Sequence, residues 1–137
     1  MKKFAKVAAV VLVAVMALAV LVACAPNKDP DKAIASLKDE GYMAAKDTVV
    51  VPIALAALGV KGVDTVISGS KSVKNGDETK LESVTVVYFT DSSSAKDSFD
   101  KVKSYAEEHK DNDSDWTIKQ SGAMIYWGTS AAIKAAA

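Results

Sequence analysis

The apolar positions along this chain fall into three patterns, and their order predicts the elements. An unbroken apolar run, Val7–Ala23, comes first. A helical period follows in Pro30–Glu40, where Ala33, Ile34 and Leu37 share one stripe. Asp29 can cap this helix, Pro30 suits its first position, and Asp31 sits at the positive end of the dipole. Gly41 stands where a left-handed cap is expected, with Tyr42 folding back onto Leu37. Tyr42–Lys46 could prolong the helix, whereas the β-branched run Thr48–Val51 favours a strand ended by Pro52. Pro52–Leu58 reads as a short helix, apolar all round and closed by Gly59. Such a helix is expected to be buried; the alternative is an apolar face turned to a bilayer or a partner.

From Val63 the period becomes two. Val63–Ser68 and Leu81–Thr90 read as strands joined across Lys74-Asn75-Gly76-Asp77, whose polar flanks leave room for a loose tip. Val84, Val86 and Tyr88 alternate with Thr85, Val87 and Phe89, so both faces are apolar and the second strand is expected to be central. Ala95, Phe99, Val102 and Ala106 then predict a helix from the Asp91–Ser94 caps to about His109. After the polar turn Asp111–Ser114, Trp116–Gln120 and Met124–Trp127 predict a hairpin around Ser121-Gly122. Gly128–Ser130 introduce a short helix, Ala131–Ala136. Short turns between strand pairs predict the α+β class: a single antiparallel sheet of about four to five strands, with helices packed on one face.

The apolar run at the start has a different meaning. Three lysines and no acid precede it, and it ends in Leu21-Val22-Ala23-Cys24, which holds the only cysteine. As a helix, Val7–Ala23 would span about 26 Å, marginal for crossing a bilayer. Read as an uncleaved membrane helix, it would leave Cys24 a free thiol. The segment resembles instead the signal peptide and lipobox of bacterial lipoproteins: an aliphatic residue, a small or β-branched one, a small one, then cysteine. That resemblance covers residues 1–24. It implies cleavage between Ala23 and Cys24, acyl chains of the palmitate kind on the Cys24 product, and a protein held on the outer side of a bacterial cell membrane. The implied organisation is a signal peptide over 1–23, a lipidated tether over 24–28 and one small domain over 29–137.

Removing residues 1–23 of 137 leaves 114, enough for one core. With its one cysteine acylated, that chain has no disulfide. The remaining 14 lysines face 17 acids, a net charge of about −3, and there is no arginine. A mildly acidic surface without guanidinium groups argues against nucleic acid as a partner.

Few residue patterns suggest chemistry. Ser-x-x-Lys occurs at Ser68/Lys71, Ser93/Lys96 and Ser98/Lys101, but the companion motifs of the penicillin-binding enzymes are absent. Asp111, Asp113 and Asp115 have calcium-loop spacing, yet Trp116 and Gly122 stand where that loop needs glycine and glutamate. Gly69-Ser70-Lys71-Ser72 departs from a phosphate loop, because Ser70 interrupts its Gly-Lys pair. His109, the lone histidine, has no second histidine or free thiol with which to bind zinc. No cofactor or metal site is expected. Trp116, Tyr126 and Trp127 are the candidate binding surface, because adjacent rings on a strand face opposite ways and one should reach an uncovered face. The expectation is a non-enzymatic envelope module, attached to the membrane through Cys24 and binding a protein, peptide or cell-wall ligand. Its alternatives are a serine hydrolase or peptidoglycan-modifying enzyme using Ser93 and Lys96, and a membrane-surface role for Pro52–Leu58.

Overall fold

A computed structural model describes residues 25–110 and 115–137. Helix α1 (Pro30–Asp39) starts where Asp29 accepts the amide of Asp31 at 2.9 Å. It ends as expected: Gly41 has φ 85°, its amide bonds Lys38 O, and the amide of Tyr42 reaches back to Leu37 O. The next elements differ from expectation. Met43–Lys46 is strand β1, and helix α2 begins at Val50 and runs to Ala57. Asp47 decides this. Its carboxylate accepts the amides of Val49, Val50 and Val51 at 2.9–3.0 Å, so the β-branched residues become the first turn of a helix. Pro52 follows in that same turn, where its missing N–H costs nothing. The helix closes as α1 does, with Gly59 at φ 81° and the amide of Val60 on Leu55 O.

Strands β2 (Val63–Asn75) and β3 (Glu78–Phe89) form one long hairpin. Its tip is tight rather than loose. Asn75 pairs with Glu78, leaving Gly76 (φ 69°) and Asp77 as the central residues, which suits a II′ turn. Helix α3 (Ser92–Glu108) is capped by Asp91, which accepts the Ser94 amide at 2.7 Å. Strands β4 (Trp116–Ser121) and β5 (Met124–Thr129) make the second hairpin, and α4 (Ser130–Ala135) ends the fold. The five strands form one antiparallel sheet in the order β1-β2-β3-β5-β4, with β3 at its centre.

The chain is α+β with a single antiparallel sheet, but its helices do not lie on one face. Val84, Val86, Tyr88, Met124 and Tyr126 pack with Ala33 and Leu37 of α1 and with Ala132 and Ile133 of α4. Val87, Phe89, Ile125 and Trp127 pack on the opposite face, with Val51 and Leu55 of α2 and with Ala95, Val102 and Ala106 of α3. Both faces are covered because both are apolar. Two glycines permit the close approaches this needs. At Gly69 a Cβ would lie 2.9 Å from Leu37 Cδ1, and at Gly128 (φ 146°) it would collide with the carbonyl oxygen of Ser83.

Two further segments depart from expectation. Helix α2 is not buried all round: Val50 is 69% and Ile53 63% exposed, and Val49 and Leu58 also face outward. A helix of two turns places only positions four apart on one line, here Val51 and Leu55, so its remaining apolar side chains turn outward. The segment expected to be a tether is held to the fold from Ala25 onward. Ala25 packs against the α1/α4 core and Pro26 is buried. The Asn27 amide bonds Ala136 O at 2.8 Å, and the buried Tyr88 hydroxyl donates to Asn27 O at 2.7 Å. Among the described residues no helix is long and apolar enough to cross a membrane. Ala23 and Cys24 lie outside them, as do Asp111 and Asp113.

Burial opposes the charge of Asp47, but the amides of Val51, Val49 and Val50 outweigh it and hold the carboxyl below its usual value. A lowered folded-state value stabilises above the unfolded value of about pH 4, and the effect is lost as pH falls through the folded one. Asp47→Ala should therefore cost about 1 kcal/mol in urea unfolding at pH 7. That deficit should shrink as the pH drops below about 4. Gly128→Ala should cost about 1–3 kcal/mol from steric overlap alone, on top of any backbone strain. Gly76→Ala, with open space around it, should show only the conformational cost of about 1–2 kcal/mol.

Candidate functional site

Because both faces of the sheet are covered, the three aromatic residues singled out by sequence part company. Tyr126 is 6% exposed and belongs to the α1/α4 core; Trp127 is 8% exposed and belongs to the α2/α3 core. Neither lies on an open face of the sheet, so the expectation that one of the two rings reaches an uncovered face is not met. Trp116, at the start of the edge strand β4, remains half-buried. Its register partner is Thr129, two residues beyond Trp127 on the same face, which sets the two tryptophans diagonally across β4 and β5.

Trp116 and the rim of Trp127 line a cleft of about 170 Å³ at the C-terminal end of α3. Tyr105 meets Trp127 edge to face, with ring centroids 6.3 Å apart and an interplanar angle of 72°. One helical turn later, the His109 ring lies 4.3 Å from that of Tyr105. His109 Nδ1 is 2.8 Å from Tyr105 O. A carbonyl only accepts, so Nδ1 carries the hydrogen, and in the neutral ring Nε2 is the free acceptor. Lys110 places its Nζ 5.4 Å above the centre of the Trp116 ring. From the sheet, Ser83 and Thr85 of β3 complete the lining. Burial, and then the Asp47 carboxylate, push the Tyr105 phenol above its usual pKa, so it stays neutral and able to donate. Thr129 also lines the cleft, but its hydroxyl accepts the Ser83 amide at 3.3 Å.

Tyr105, Lys110, Ser83 and Thr85 were not singled out by sequence, and His109 was considered there only to be set aside. Two signals point to them in retrospect. Tyr105 and His109 are four apart at a helix end, and Ser83 and Thr85 are hydroxyl residues on an otherwise apolar central strand.

The other candidate chemistry is dispersed. Ser93 and Lys96 are exposed at the start of α3, and Ser98 is buried. Lys71 donates to Glu40 O at 2.9 Å and lies 5.5 Å over the Tyr42 ring, tying the long hairpin to the end of α1. Asp115 accepts the Ser130 hydroxyl at 2.6 Å, at the first residue of α4. On the α1/α4 side, buried Glu82 has one oxygen 3.5 Å from Lys80 Nζ and the other without a hydrogen bond among the described residues. A larger groove of about 480 Å³ runs between α2 and the start of β2. Its best-placed polar group, Asp47, is already committed to three amides. Among the described residues no group of three or more His, Cys, Asp or Glu is placed to hold a metal.

Compared with protein families, curated proteins and solved structures, the chain matches none of them.

The two tryptophans should separate by experiment. Trp127→Ala should cost about 3–5 kcal/mol, as for a large buried ring. Trp116→Ala, losing a half-buried ring, should cost distinctly less in the same urea titration. Equal losses would mean that Trp116 is a core residue and not part of a surface.

Proposed function

We propose that the chain is a lipid-anchored module of the bacterial envelope that binds its ligand without transforming it, and that the cleft under Trp116 is its binding site. The observation that carries this reading is that half-buried Trp116, Tyr105, His109, Ser83 and Thr85 line one concavity. Ligand sites are concave and combine apolar walls with a few orienting polar groups, and this cleft has both, with polar and apolar lining in about equal measure.

The placement of Ala25–Asn27 supports the same reading. These residues follow Cys24 directly and are packed on the α1/α4 side, held through Tyr88 near the end of β3. The cleft is on the opposite face and over the earlier part of β3, at Ser83 and Thr85. An acyl anchor on Cys24 would therefore hold the domain close to the bilayer and leave the cleft directed away from it. The apolar ridge of α2 shares the cleft's face, which favours this reading over a membrane-surface role for that helix.

Cys24→Ser should yield an uncleaved precursor that takes up no fatty-acid analogue in growing cells. Retention of label by that variant would refute the anchor. On the binding-only reading, a fluorescent β-lactam should leave the protein unlabelled. Covalent labelling that disappears in Ser93→Ala would establish the hydrolase alternative instead.

A further inference from the structure

We infer that the cleft takes a single sugar ring of a glycan, stacked on Trp116, and that Lys110 is the group that moves aside to admit it. This rests on the cleft being the binding site, and it adds the ligand's chemical class.

Size comes first. At about 170 Å³ the cleft is well below the roughly 300–1,000 Å³ of sites that enclose a whole drug-sized molecule. It has room for one ring of a longer ligand whose remainder stays outside. The chemistry of the lining then selects the kind of ring. A pyranose has a flat face of C–H groups and a rim of hydroxyls, each able to donate and to accept. The cleft presents the same two features in complement. Trp116 supplies a flat apolar surface, half-buried at the edge of the sheet. The same lining includes residues of both hydrogen-bonding senses: Ser83 and Thr85, which donate and accept, Tyr105, and His109, whose Nδ1 is committed to Tyr105 O. A peptide that adds to a sheet as a further strand is held by main-chain bonds along a strand edge. This cleft instead lies on the face of the sheet, over β3 and β5.

Lys110 explains how the ring becomes available. Its ammonium now covers the Trp116 face at 5.4 Å. An exposed cation–π contact of this kind is weak, so a stacking sugar can displace it. The displaced ammonium then stands beside the ligand, where it pairs with a carboxylate on an acidic sugar and has no partner on a neutral one. No carboxylate belongs to the described lining of the cleft.

The test uses the full acylated chain in detergent micelles, titrated with three probes. These are an N-acetylglucosamine tetrasaccharide, a hyaluronan tetrasaccharide that carries carboxylates, and a glutamate–alanine hexapeptide. Tryptophan emission and calorimetry report binding. Saturable binding of either sugar, weakened at least tenfold in Trp116→Ala and largely restored in Trp116→Tyr, is the expected result. Lys110→Gln should leave the neutral sugar bound as well as before or better, and should weaken the carboxylated one several-fold. Unchanged thermal unfolding in Trp116→Tyr and Lys110→Gln shows that the fold is intact. Hexapeptide binding that depends on Trp116, with neither sugar bound, would overturn the sugar inference and leave the cleft as the site. Sugar binding indifferent to Trp116→Ala would overturn the placement of both. No binding of either sugar at millimolar concentration would overturn the inference.

Discussion

The structure depends on one strand that is apolar on both sides. In β3, Val84, Val86 and Tyr88 face one way and Val87 and Phe89 the other, and all five are buried. Leaving either side in water would forgo about 25 cal/mol for each Å² of apolar surface. The strand must therefore be central and the sheet must be covered twice. In a chain this short, that requirement distributes the helices: α1 and α4 close one face, α2 and α3 the other. The cover is thin, one pair of helices per face, so each helix must place its few apolar anchors accurately.

That placement is achieved by two copies of the same local device. Helices α1 and α2 both stop at a glycine of positive φ, with the following residue's amide returned to a leucine carbonyl. In each case the leucine, Leu37 or Leu55, is fully buried and the residue that folds back, Tyr42 or Val60, joins the same core. The cap thus fixes where the helix ends and which side chain faces the sheet. Asp47 does the corresponding work at the start of α2, where three amide bonds to one carboxylate overcome the strand preference of Val49–Val51. Propensity is a weak bias per residue, and a satisfied helix start outweighs it over so short a run.

Double cover also determines what the surface can offer. Where helices cover both faces, Tyr126 and Trp127 become core, and a concavity lined by aromatic and polar groups forms at a corner. There the end of α3, the edge strand β4 and the start of β3 meet without filling the space between them. The same brevity that makes the cover thin leaves α2 with an outward apolar ridge at Val50 and Ile53, since a two-turn helix has only one narrow side to bury.

Read alone, the sequence determined the order and kind of nearly every element, the cap at Asp29, the fold-back at Gly41 and Tyr42, and the centrality of β3. Each follows from neighbours within a few residues or from an alternation along one strand. It also carried the resemblance of residues 1–24 to a lipoprotein signal. Three things were decided only by tertiary structure. The helices divide between two faces because cover for the second apolar side of β3 comes from residues far away in the chain. Trp116 remains reachable while Trp127 is buried, because α3 lies over one and ends beside the other. The cleft itself joins Ser83 and Thr85 to Tyr105, His109 and Trp116, which no sequence period relates. Local periodicity encodes which side of an element is apolar; which element covers that side, and where the cover stops, depends on packing across the whole chain.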